Sequence, residues 1–202
     1  MSHFQLHPLS LRIWHWINTG LIVLLILTGV RLRVPGINFL FAYRNTVLIH
    51  RVTGWVLMVS YLFWLVYSIV GGNLRKNYAF HRRDVKNAYC QALYYAFGVF
   101  RGEPNPCPAT PEEKFNVLQK VAYIGVQLAL TPIIIITGIF FTNIPYFHGA
   151  IAAIGGIRIL DAVHVIVAYC FVIYLIVHVY MSTLGARPLT HIKAMFTGYE
   201  EE

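Results

Sequence analysis

Charge is scarce in this chain, and acid is scarcest. Lys and Arg number 16 and Asp and Glu only 8 in 202 residues, a charged share of 12%, about half that of an average soluble domain. With 57% hydrophobic residues and a mean hydropathy of +0.60, a water-soluble globular domain is excluded. The 3 cysteines, Cys90, Cys107 and Cys170, stand singly. No C-x-x-C-H occurs, which excludes covalently attached c-type haem, and no zinc or iron–sulfur spacing is present. H-E-x-x-H is also missing, which removes a membrane zinc protease. Proton relays and metal transporters usually carry Asp or Glu within their spans. Here the apolar runs hold none except Asp161, at a boundary. No cleavage site follows the first apolar run, so that run is expected to stay as a helix. No internal repeat is visible by comparing histidine positions.

What the chain has is four long apolar runs. They predict spanning helices over about 13–30, 46–72, 115–142 and 160–186, since ~20 apolar residues cross a bilayer. The expected fold is an all-α membrane protein, a four-helix bundle forming one domain over 1–202. Trp14 and Trp16 suit the interface at the start of the first helix. Pro132 is expected to kink the third. Residues 73–114 are the longest polar segment, in which 84–100 can form an amphipathic surface helix. Pro111-Glu112-Glu113 after Thr110 resembles a capped helix start. The formal charge of +8 sits mostly in loops, where it orients the chain and meets anionic lipid; nucleic acid is not implied. The Lys/Arg distribution places both termini and the 73–114 loop in the cytoplasm.

Histidines interrupt the apolar runs. In the stretch from Asp161 to Ala186, His164 and His178 lie fourteen residues apart. On a helix they fall within ~40° of one face and ~21 Å apart along the axis. With alternating helix directions, His50 shares the outer depth of His164, and His15 shares the inner depth of His178. Each pair draws on two helices. Haem b iron is commonly held by histidine, and helix bundles place such ligands on facing helices. The four therefore read as axial ligands of two stacked haems. Gly54, one turn after His50, fits either close approach of a planar ligand or helix–helix packing. His3, His7, His81, His148 and His191 lie in polar segments and are given no ligand role.

Arg12-Ile13-Trp14-His15-Trp16-Ile17-Asn18, followed by Thr28-Gly29, resembles the opening of the di-haem cytochrome b subunits of membrane-bound Ni,Fe-hydrogenases, formate dehydrogenases and thiosulfate reductases. The segment 114–120, with Tyr123 and Thr137-Gly138, is similar to that family's third-helix motif, although Val117 replaces its usual proline. The ending from His191 to Glu201 is similar too, and the His164–His178 spacing matches the formate dehydrogenase type of ligand helix. The resemblance implies two haem b groups, held by His50 with His164 and by His15 with His178. It implies an extracytoplasmic iron–sulfur or cytochrome c subunit with a hydrogenase or molybdopterin-type catalytic subunit. It also implies menaquinone or ubiquinone at the cytoplasmic side of a bacterial inner membrane. Asn116, and with it Gln119, are then candidates for a quinone hydrogen bond. Arg12 and Arg51, near His15 and His50, are candidates for haem propionates, because Arg suits carboxylates.

Three functions stay open at this point. One is the quinone-linked electron-transfer subunit of an oxidoreductase complex. Another is a stand-alone cytochrome b passing electrons from a small donor to quinone. The third is a haem-free transporter or anchor. Copurifying subunits separate the first two, and an absorbance spectrum eliminates or keeps the third.

Overall fold

The computed structural model describes residues 7–34, 36–37, 42–72, 74, 82–107, 116–184 and 189–199. Four helices are long and apolar enough to cross a membrane. They are α1 (Leu9–Arg33), α2 (Tyr43–Val70), α4 (Val117–Thr142) and α6 (Ile157–Ser182). Shorter helices are α3 (Arg82–Ala96), α5 (His148–Ala153) and α7 (Thr190–Thr197). The chain divides into two compact units, Met1–Tyr61 with Ile133–Glu202, and Leu62–Pro132.

The expected helices are found with shifted ends. α1 starts four residues early, after Pro8, and closes with Arg31 and Arg33 in its last turn, where cations complement the helix dipole. α6 stops at Ser182 instead of reaching 186. It begins directly after Gly155 and Gly156, whose φ of +101° and +91° are open to glycine and costly for other residues. The segment before it contains α5, and the tail contains α7. The helix start anticipated at Thr110 lies outside the described residues. α4 is instead capped by Asn116: its side chain accepts from the Gln119 backbone at 2.9 Å and the Gln119 side chain accepts from the Asn116 backbone at 3.0 Å. This reciprocal pair satisfies two amides that the helix leaves free.

Pro132 acts through a change of helical pitch. Residues Gly125–Leu130 form a π turn immediately before it, and the Thr131 hydroxyl donates to the Val126 carbonyl five residues back at 2.8 Å. Proline offers no amide proton and crowds the carbonyl four residues earlier. One wider turn with a hydroxyl bridge relieves both problems.

In the second unit, α3 is amphipathic in the sense a membrane surface requires. Val85, Tyr89, Leu93 and Phe97 are exposed, while Asp84 and Gln91 are buried. Asp84 meets Lys120 of α4 at 3.7 Å, with side-chain exposures of 3% and 6%. In the first unit, α7 closes on the start of α1. Trp16 stacks on Phe196 at 4.4 Å and donates to the Met195 carbonyl at 3.1 Å. The His7 amide donates to the Gly198 carbonyl at 3.2 Å. Gly198, at φ +91°, is where a side chain would sit 3.0 Å from the His7 carbonyl.

Candidate functional site

The four histidines meet in two pairs within the first unit. His15 of α1 and His178 of α6 have ring centres 6.1 Å apart. His50 of α2 and His164 of α6 have ring centres 6.4 Å apart. Two imidazoles ligating one metal from opposite sides at ~2.0 Å each put their ring centres about 6.3 Å apart. Both separations fit a bis-imidazole iron. The spacing along α6, which is a continuous α-helix from Ile157 to Ser182, sets the two levels ~21 Å apart.

The His50/His164 level is built with matched supports. The Thr28 hydroxyl lies 2.8 Å from His50 Nδ1 and donates to the Leu24 carbonyl at 2.7 Å. The Thr137 hydroxyl lies 2.8 Å from His164 Nδ1 and donates to the Ile133 carbonyl at 2.8 Å. A hydroxyl has one proton. With that proton given to the helix carbonyl, the oxygen can only accept, an arrangement that suits a ring proton on each Nδ1. Each Nε2 is then left with the lone pair that a metal needs, the arrangement by which second-shell partners fix a ligating histidine. The glycine after each threonine completes the support. A Cβ on Gly29 would lie 3.6 Å from His50 Cε1, and one on Gly138 3.7 Å from His164 Cε1.

The His15/His178 level differs. His178 stacks on Tyr174 at 5.6 Å, and His15 stands edge-on to Trp16 at 5.2 Å. His15 Nδ1 is buried with no hydrogen-bond partner among the described residues. An orphaned buried imidazole nitrogen is costly, and a metal held at Nε2 would leave this Nδ1 still without an acceptor among the described residues. Beyond it, Asn18 fixes the same face by donating to the Trp14 carbonyl at 2.7 Å and to Ser60 at 2.9 Å.

Other candidates fall differently. No described atom lies within 4 Å of where a Gly54 side chain would begin, so helix–helix packing does not account for that glycine. The Arg12 guanidinium donates to the Phe196 carbonyl, which ties it to α7. Arg51 is exposed. Arg31, in the last turn of α1, is 6% exposed and lies over the Tyr43 ring. Asp161, one turn before His164, pairs with Arg33 at 3.1 Å.

Asn116 and Gln119 belong to the second unit. Beyond its cap, the Asn116 amide donates to the Tyr95 hydroxyl at 3.1 Å. Burial pushes that hydroxyl above the usual tyrosine range, and the hydrogen bond from Asn116 opposes the shift. Thr28 and Thr137 are the supports that sequence reasoning missed. The signal was present as two Thr-Gly dipeptides, each on the helix before a histidine-bearing one.

A family described as prokaryotic cytochrome b561 matches residues 6–198. A protein of Escherichia coli (strain K12), named "Putative cytochrome YdhU", is 32% identical over 196 residues, covering 96% of this chain and 73% of that protein. The paired imidazoles and the four apolar helices fit this family's b-type haem, and the chain belongs to the prokaryotic cytochrome b561 family, membrane cytochromes that bind haem b and transfer electrons.

Proposed function

We propose that this cytochrome is the membrane-anchoring di-haem subunit of a respiratory oxidoreductase complex. It passes electrons across the membrane between an extracytoplasmic catalytic or electron-transfer partner and the quinone pool. The observation that carries this reading is the pair of imidazole couples, at 6.1 and 6.4 Å, set on two levels of one spanning helix. Haem b at each level supplies a one-electron iron couple. His50 and His164 hold one group and His15 and His178 the other. A single level would serve an electron store; two levels ~21 Å apart serve transfer through the bilayer.

With both termini in the cytoplasm, His50 and His164 face the extracytoplasmic partner, an iron–sulfur or cytochrome c subunit. Quinone is then handled at the cytoplasmic side by Asn116. Its amide has two protons; Tyr95 accepts one, and the second is left for a quinone carbonyl. Its side-chain oxygen is committed to the cap. Proton uptake from the cytoplasm against electrons from outside separates charge, worth ~2.3 kcal/mol per elementary charge at 100 mV.

The test is purification of the full chain from membranes in mild detergent, with haem extraction, dithionite-reduced spectra and identification of copurifying subunits. Two haem b per chain, a large partner and oxidation of the reduced cytochrome by a quinone analogue are expected. One haem or none refutes the two-level reading. Two haems with no partner, reduced by a small donor, replace the complex with a stand-alone carrier.

A further inference from the structure

The two histidine levels are supported unequally, and the inequality has a redox consequence. At His50 and His164, each Nδ1 lies 2.8 Å from a threonine oxygen, which receives the ring proton when the hydroxyl proton goes to a helix carbonyl; His50 also meets the Leu25 backbone. Among the described residues no such acceptor is found at His15 or His178, and His15 Nδ1 is left buried without one. A hydrogen bond from Nδ1–H pulls the proton outward and gives the ring partial imidazolate character, which makes Nε2 a stronger donor. A stronger donor favours the ferric over the ferrous state, and second-shell hydrogen bonding is among the levers that set haem potential.

We propose that Thr28 and Thr137 are positioning residues that lower the potential of the haem held by His50 and His164 below that of the haem held by His15 and His178. The proposal rests on the two-haem reading above. The supports act in parallel, one per axial ligand. They are anchored alike: each threonine sits on the spanning helix before that of its histidine, within reach of a carbonyl one turn back for its own proton. The gradient they create runs downhill from the His50/His164 level to the His15/His178 level. The Arg33–Asp161 pair at 3.1 Å adds a separate field near His164, which a hydroxyl deletion leaves in place.

The test is a spectroscopic redox titration of the full haem-loaded chain in nanodiscs, with the component lost in His164→Ala taken as the Thr-supported one. That component is expected to be the lower-potential of two. Thr28→Val and Thr137→Val are each expected to raise it, shifting its ferric-to-ferrous ratio at fixed ambient potential by about three- to tenfold, or ~30–60 mV at 59 mV per tenfold for one electron. The other component should not move. Thr28→Ser and Thr137→Ser, which keep the hydroxyl, should restore the wild-type value. Should one valine variant lose its haem, the other reads the same effect through the opposite ligand. Two components with neither shifted, both shifted together, or the Thr-supported one at the higher potential would overturn the proposal while leaving two haems standing. A single component in the wild type would overturn the two-haem reading itself.

Discussion

Asp84 and Lys120 form a buried ion pair between α3 and α4, and its loss should loosen the two helices without touching a haem ligand. Their charged atoms are 3.7 Å apart with side-chain exposures of 3% and 6%, so solvent screening is small. At an effective dielectric of about 20 their attraction is roughly 4.5 kcal/mol. Asp84→Asn removes one charge and strands the other. Breaking a buried pair in this way costs about 3–5 kcal/mol, because the remaining charge has lost its partner and its water. Taking ~3 kcal/mol as the local loss, amide hydrogen exchange across Arg82–Ala96 should speed by about 150-fold where opening is local. Lys120→Met should act similarly. Asp84→Leu with Lys120→Met removes both charges and should exchange more slowly than either single variant, since a buried pair is often replaceable by apolar side chains of similar volume. The assay is exchange mass spectrometry on the full cytochrome in nanodiscs, with haem absorbance as a control for global integrity. Single variants exchanging within threefold of wild type, or a double variant faster than both, would refute the reasoning.

Three further outcomes follow from the same geometry. His50→Ala and His164→Ala should each remove one spectral component, and His15→Ala and His178→Ala the other; difference spectra in which His15→Ala and His164→Ala lose the same component would dissolve the pairing. Gly138→Leu should displace His164, because a Cβ there already stands 3.7 Å from the ring; reduced haem content relative to Gly149→Leu on α5, where nothing stands within 4 Å, checks it. Asn116→Ser should keep the helix cap, which its hydroxyl can serve, and keep both haems, but slow their reoxidation by a quinone analogue in stopped flow; unchanged reoxidation would move the quinone away from Asn116.

The spans were legible because a bilayer asks for length and apolarity alone, and those are properties of composition. The histidine pairs were legible for a related reason. Fourteen residues on a helix fix both face and depth, and alternating helix directions fix which partner shares each depth. What escaped was set by contacts rather than periodicity. Asn116 was read for what its amide could offer a ligand, yet its oxygen and backbone amide are first spent on closing the start of α4. Arg12 was read as a propionate partner, but its reach to the Phe196 carbonyl depends on α7 folding back, and nothing in a polar tail announces that. Pro132 was expected to bend its helix; the π turn before it needs Thr131 to bridge to Val126, a detail of hydrogen bonding that hydropathy does not carry.

Comparing histidine depths shows no internal repeat, because α4 holds no histidine at a depth matching those of the other spanning helices; a local similarity lies one step away. Thr28-Gly29 on α1 serves His50 on α2, and Thr137-Gly138 on α4 serves His164 on α6, with distances of 2.8 Å in both cases and Cβ approaches of 3.6 and 3.7 Å. Threonine and glycine are common in spanning helices for packing reasons, so neither dipeptide stands out alone. Only the pairing of each with the histidine that follows gives it chemical meaning: threonine to meet Nδ1, glycine beside the ring edge, where a Cβ would stand in ordinary contact. The repeat is thus confined to the His50/His164 level. The His15/His178 level, with Trp16 and Tyr174 against its rings, is assembled from different parts.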